Sequence, residues 1–186
     1  MAQRESFDEV IAAAAAGADW AIAVLYDDLQ PSLLAYLRSH ERAEAEDLAA
    51  EVWQGIGEGL SRFEGDESGF RAWAFTIARH RLIDWRRRRS RRPGAVAGDE
   101  HLESVAGVED PASMAMAWVA SEAAVRRIRE VLPLDQAEVI ILRVLGDLDA
   151  DQVGRILGKR PGTIRVLQHR ALRRLAETFS REGVTP

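Results

Sequence analysis

LDADQVGRILGKRPGTIRVLQHRALRRLAE, residues 148–177, decides the architecture of this chain. Its first part has the apolar spacing of a short helix closing on Leu157. Gly158 then supplies a turn, and a second helix opens at Pro161, a residue tolerated in a first helical turn because its missing N–H would be unpaired there anyway. At about 100° per residue, Ile164, Leu167, Ala171 and Leu175 gather on one face of that second helix, which is the face to bury. Helix, tight turn, helix in this order is the grammar of a helix-turn-helix.

Outward from this motif the periodicity stays helical, and no alternation of β-branched and aromatic residues bounded by turns argues for a strand. The expectation is an all-α chain with helices at roughly 5–16, 18–39, 43–60, 67–90, 112–131, 135–145, 149–157 and 161–179, the second kinked at Pro31. RPGAVAGDEHLESVAGVEDP at 92–111 has little periodicity and is rich in Gly, Ala, Pro and acids, the composition of a linker. Two helical domains joined by a flexible linker follow: residues 1–92, a linker at 93–111, and a C-terminal helix-turn-helix domain at 112–186.

Of the 186 residues 47% are apolar, an ordinary globular fraction, and none is cysteine, which excludes disulfides, thiolate metal sites and thiol switches. No apolar stretch approaches the roughly 20 residues that span a bilayer. MAQRESFDEVIAAAAAGADW at the N-terminus carries acids where a signal peptide carries lysine or arginine, so a cytoplasmic location without membrane insertion is expected. The net charge of −5 hides a sorted distribution: −9 over residues 1–60, +6 over 61–98, −8 over 99–153 and +6 over 154–186. Two basic blocks imply two places for polyanion, with acidic surface left for another partner.

The first acidic block contains a pattern. On a helix through AEAEDLAAEVWQGIGEGL, Ala45, Leu48, Ala49, Val52, Trp53, Ile56 and Leu60 share one face, and Asp47, Glu51, Gln54 and Glu58 fall on the other. A solvated face is the plain alternative. Like charges four residues apart cost a few tenths of a kcal/mol each, so a stripe without lysine or arginine favours a basic partner.

WAFTIARHRLIDWRRRRSRR at 73–92 divides in the same way. Ala74, Phe75, Ile77, Ala78, Leu82 and Trp85 face a core; Thr76, Arg79, His80, Ile83, Asp84, Arg86 and Arg87 lie on the other arc, with Trp73 at its edge. Arginines so placed can neutralise phosphate, and Phe63, Phe70 and Trp73 can stack on bases that have left a duplex, although each is also an ordinary core residue type. Asp84 has the simpler use of pairing with Arg88, and Arg88–Arg92 are expected to run past the packed part of the helix. In the second basic block Arg160, Thr163, Arg165, Val166, His169, Arg170, Arg173 and Arg174 lie where a recognition helix meets base edges and phosphates. Neither His80 nor His169 has a helix-spaced His or Cys partner, and no phosphate loop, nucleophile motif or paired-carboxylate motif is present. No metal, cofactor or catalytic residue is expected.

This order of parts resembles bacterial RNA polymerase sigma factors of the extracytoplasmic-function (ECF) group. AEDLAAEVW at 45–53 is similar to the family's region 2.2, FRAWAFTIARHRLIDWRRR at 70–88 to regions 2.3 and 2.4, and residues 132–175 to region 4. The resemblance implies a non-catalytic subunit that turns core polymerase into a promoter-specific enzyme. Glu46, Asp47, Glu51 and Gln54 would bind the clamp helices of the β′ subunit, and the β subunit would also be contacted. Arg62, Phe63, Phe70, Trp73, Thr76, Arg79, His80, Arg86 and Arg87 would read and open the −10 element, with a flipped base held near the 63–70 loop and Trp73. The helix from 161 would dock in the major groove of the −35 element, and an anti-sigma factor would hold the protein inactive. Two departures stand out: His80 replaces Asn in the family's W-x-x-x-I-A-R-N run, and Val166–Ala171 replaces Ser-Arg-Leu-His-Arg-Ala. Two rival readings are a self-sufficient helix-turn-helix regulator, which would need a dimerisation or ligand domain, and an adaptor that binds protein but not DNA.

Overall fold

The computed structural model describes residues 6–91 and 123–181, and among them there is no strand. Helix starts follow the side chains that cap them. Ser6 and Glu9 form a reciprocal capping box at the head of α1 (Phe7–Ala15), each side chain accepting from the other's amide. α2 (Asp19–Arg38) continues through Pro31 without a break, and Ser32 Oγ donates to the Leu29 carbonyl at 2.9 Å beside it. α3 (Ala45–Gly59) runs into a single 3-10 turn, Leu60–Arg62. Asp66 then caps α4 (Glu67–Ser90) by accepting from the Gly69 amide at 2.7 Å.

The second half comprises α5 (described over 123–131), α6 (Leu134–Leu145), α7 (Ala150–Leu157) and α8 (Pro161–Arg181). Asp149 and Gln152 build a second capping box at the start of α7, with both bonds at 2.7 Å. Gly158 ends α7 at φ +64°, a left-handed conformation that glycine adopts without steric cost, and the chain turns directly into α8. The proposed linker and the first part of the helix expected from 112 lie outside the described residues.

Each half buries its own apolar faces. Leu29, Leu33, Leu48, Val52, Phe75 and Leu82 are sealed in the first, and Val139, Ile141, Leu142, Val153 and Ile164 in the second. Each such side chain contributes about 1.5–3 kcal/mol relative to exposure. Ile164, Leu167, Ala171 and Leu175 are all buried, as their spacing predicts. The halves are not separate: α2 packs on α6, α4 packs on α7, and the buried apolar residues form one continuous cluster.

Candidate nucleic-acid interface

The outer face of α8 is open. Thr163, Arg165, Val166, His169, Arg170, Arg173 and Arg174 are exposed along it, preceded by the exposed Arg160. Its described ion pairs are loose surface ones, Arg165 to Asp151 at 3.6 Å and Arg173 to Glu177 at 3.5 Å. Such pairs contribute little and exchange readily for phosphate. Arg170, Arg173, Arg174 and Arg181 also line one shallow concavity near the C-terminal end of the helix.

On α4 the expected arc is present but differently occupied. His80 and Arg87 are exposed, while the Thr76 hydroxyl donates back to the Ala72 carbonyl at 2.7 Å. Arg86 donates to Glu41 at 2.8 Å, and Arg79 Nε donates to the Ile156 carbonyl of α7 at 3.2 Å. Two expectations need correction. Asp84 lies near Arg87 (3.9 Å), not Arg88, because Arg88 reaches across to Glu51 of α3 at 3.2 Å. Arg89 is likewise held, 5.1 Å over the Trp85 ring and 4.0 Å from Glu41, so these arginines do not run free past the packed helix.

The three candidate stacking aromatics are not equivalent. Phe63 and Trp73 are half-buried and stack on each other, centroids 5.3 Å apart at 27°. Phe70 is only 2% exposed and packs against Phe7, Phe63 and Trp73. This corrects its assignment as a base-stacking surface: Phe70 backs the pair that can offer one. The close approach of Trp73 depends on Gly59, where a Cβ would come within 2.6 Å of the ring. Arg62 is exposed nearby, with Nη2 donating to the Glu58 carbonyl at 3.3 Å.

The acidic stripe of α3 stands opposite its buried face, as its spacing predicts. Asp47, Gln54 and Glu58 are exposed, and Gln54 donates to Glu58 at 3.0 Å. Glu46 accepts from Arg38 at 2.6 Å, and Glu51 is partly covered by Arg88.

Sequence reasoning misses the seam between the halves altogether. Tyr36 Oη donates to Glu138 at 2.9 Å, and His40 Nε2 lies 2.6 Å from the other carboxylate oxygen. An ionised carboxylate only accepts, so the imidazole donates from Nε2 to Glu138, while its Nδ1 lies 3.0 Å from the Tyr36 carbonyl. The Arg129 guanidinium sits against the same imidazole and 3.5 Å from Glu138. Burial by itself would raise the Glu138 carboxyl, but hydrogen bonding and charge from His40, then Tyr36 and Arg129, outweigh it and hold the pKa at about 2. Burial, followed by the Glu138 charge, pushes the Tyr36 phenol well above its ordinary range. Between α7 and α4, Gln152, already capping α7 with its carbonyl, donates its amide to Ser68 Oγ at 2.7 Å. The partners are about 100 residues apart, so no local pattern announces them.

Comparison with known proteins places both halves. The Sigma-70 region 2 family model matches residues 25–92, and that of Sigma-70 region 4 matches residues 122–175. The ECF RNA polymerase sigma factor ShbA of Streptomyces griseus is 37% identical over 157 residues, covering 79% of this chain and 81% of the relative. This chain belongs to the ECF sigma factors. SigD of Mycobacterium tuberculosis, another member, is 32% identical over 97% of this chain and 87% of its own length. Among solved structures, CnrH in complex with the cytosolic domain of CnrY superposes with a TM-score of 0.60 at 17% identity, covering 95% of this chain and 99% of that one, which supports the shared fold. The protein is thus a sigma factor, a subunit that directs core RNA polymerase to initiate at promoters through their −10 and −35 elements. No described helix is long and apolar enough to cross a membrane, and no described cluster of His, Asp and Glu is arranged to hold a metal.

Proposed function

We propose a division of labour among the three surfaces of this sigma factor. Asp47, Glu51 and Gln54, with Glu46 beside them, dock on basic residues of the polymerase β′ clamp helices, and further contacts reach the β subunit. Arg62, Phe63, Trp73, Thr76, Arg79, His80, Arg86 and Arg87 engage the −10 element, Phe63 and Trp73 receiving an unstacked base. The α8 face from Arg160 to Arg174 enters the major groove of the −35 element, where Arg and His donate to base edges and phosphates. The observation that carries the reading is the sharp sorting of α8: Ile164, Leu167, Ala171 and Leu175 are buried while Arg165, His169, Arg170 and Arg173 are exposed. Control by an anti-sigma factor belongs to the same proposal, since the structural neighbour CnrH was captured in complex with the cytosolic domain of CnrY.

The test is reconstitution of the purified chain with core polymerase on genomic promoter templates. Specific transcripts are expected, and the double substitution Asp47→Lys, Glu51→Lys should abolish core binding with helicity retained. A footprint made by the chain alone, without polymerase-dependent initiation, would instead favour an autonomous regulator.

A further inference from the structure

α3 ends with three glycines, Gly55, Gly57 and Gly59, in a helix where each is less favourable than alanine. Their surroundings differ. A Cβ on Gly57 would meet nothing within 4 Å, so no neighbour requires its absence. On Gly55 it would lie 3.2 Å from Ile77 Cγ2 and 3.4 Å from Arg81 Nη2, which is tight packing. On Gly59 it would lie 2.6 Å from Cζ2 and 3.1 Å from Cη2 of Trp73, well inside van der Waals contact.

Backbone conformation does not account for Gly59. Its φ of −101° and ψ of −14° are right-handed values open to any residue. The three atoms nearest the missing Cβ all belong to the Trp73 indole, so what the glycine admits is that ring. Trp73 in turn stacks on Phe63, centroids 5.3 Å apart at 27°, and the buried Phe70 packs against both. For the other ring of the stack, a Cβ on Gly65 would come within 3.0 Å of Phe63 Cζ. Each ring therefore rests against a glycine.

We infer that Gly59 is a positioning residue for promoter opening: by carrying no side chain it seats the Trp73 indole on Phe63 before a base arrives. This rests on the reading of Phe63 and Trp73 as the pair that receives an unstacked base. A ring already held in place needs no ordering when the base docks, which is the general advantage of preorganisation. An alanine at position 59 would push the indole, the far end of a movable side chain, out of its stack and leave the α3 backbone as it is.

The test uses the full chain assembled with core polymerase on a promoter obtained by reconstitution. Gly57→Ala and Gly59→Ala both gain helix propensity, so neither should melt below the unsubstituted chain. Gly57→Ala should open the promoter normally. Gly59→Ala should form the closed complex with unchanged affinity, yet permanganate reactivity in the −10 element should fall at least about fivefold, the least that one lost base stack is worth. Trp73→Phe removes Cζ2 and Cη2, the atoms that collide, so in that background Gly59→Ala should cause no further loss. Normal opening by Gly59→Ala, an equal loss from Gly57→Ala, or an undiminished loss in the Trp73→Phe background would each overturn the inference. So would a fall in melting temperature that Trp73→Phe does not relieve, because Gly59 would then serve helix packing. Normal opening by Trp73→Ala would instead sink the base-stacking reading itself.

Discussion

α4 and α8 carry similar arginine-rich outer arcs, yet they stand in opposite states. The face of α8 is exposed from Arg160 to Arg174, with only loose surface pairs described on it. On α4, Arg79 is bonded to α7, Arg86 to Glu41, and the exposed Arg88 to Glu51. Charge in a sequence therefore measures what a helix can bind and says nothing about what already occupies it. The difference follows from position: α8 lies against α6 and α7 with its outer side free, whereas α4 is packed by α2, α3 and α7.

The largest effect expected from this contrast comes from reversing charge on each helix. Arg165→Glu, Arg170→Glu and Arg173→Glu together should abolish −35-dependent initiation and leave the melting temperature unchanged, because all three side chains project into solvent. If each contacts phosphate, any residual DNA binding should show a log-log salt slope smaller by roughly 3. The matching set on α4, Arg79→Glu, Arg86→Glu and Arg87→Glu, should lose −10 function and also melt lower, since Arg79 and Arg86 hold tertiary contacts. Equal melting temperatures for the two triples would break the comparison.

The aromatic corner separates stability from function within α4 itself. Phe70→Ala removes a buried ring and should cost about 3–5 kcal/mol of folding stability in denaturant titrations. Trp73→Ala removes a half-buried ring stacked on Phe63, so its larger signature should be in promoter opening, about 1–3 kcal/mol of lost base stacking by permanganate footprinting. If Phe70→Ala folds normally but fails to open promoters, the division of roles between the two rings is wrong.

Much of this fold is legible in the sequence because capping and periodicity are local. α4 has the expected bounds at both ends, and Asp66 explains its start. The helix expected to 179 continues to Arg181, a difference of end fraying and not of kind. What escapes is tertiary. Periodicity gives Phe70 and Trp73 neighbouring positions and cannot tell that Phe7 closes over one of them. It offers Arg88 a partner in Asp84, while folding brings Glu51 closer from another helix. The surfaces proposed for polymerase and DNA are written along single helices, whereas the seam is written across residues about 100 apart.

A smaller effect is the pH dependence of that seam. Glu138 has a pKa of about 2 in the packed seam, below the ordinary 4.5, so its contribution is fully present above 4.5 and is lost as pH falls toward 2. At neutral pH it amounts to at most about 3 kcal/mol. His40, Tyr36 and Arg129 face the carboxylate directly, with Arg79 near Tyr36 and Arg86 near Arg129. Acid should therefore lower the melting temperature over that window, and Glu138→Gln should remove the acid-dependent part. A melting temperature that follows pH identically in both proteins would assign the response to other groups.

The smallest effect concerns Arg88, the basic residue that α4 lends to the acidic stripe. Its pair with Glu51 is 3.2 Å long with both side chains well exposed, so Arg88→Ala should lower folding stability by less than about 1 kcal/mol. Its informative readout is polymerase affinity. Arg88 occupies the carboxylate that a basic clamp would otherwise take, and removing it should raise affinity for core polymerase modestly, less than about tenfold, with the gain shrinking at high salt. Glu51→Gln should cancel that gain, because no unmasked carboxylate remains. A fall in affinity for Arg88→Ala would mean that the arginine itself touches polymerase, and the stripe would have to be redrawn to include a residue of the basic helix.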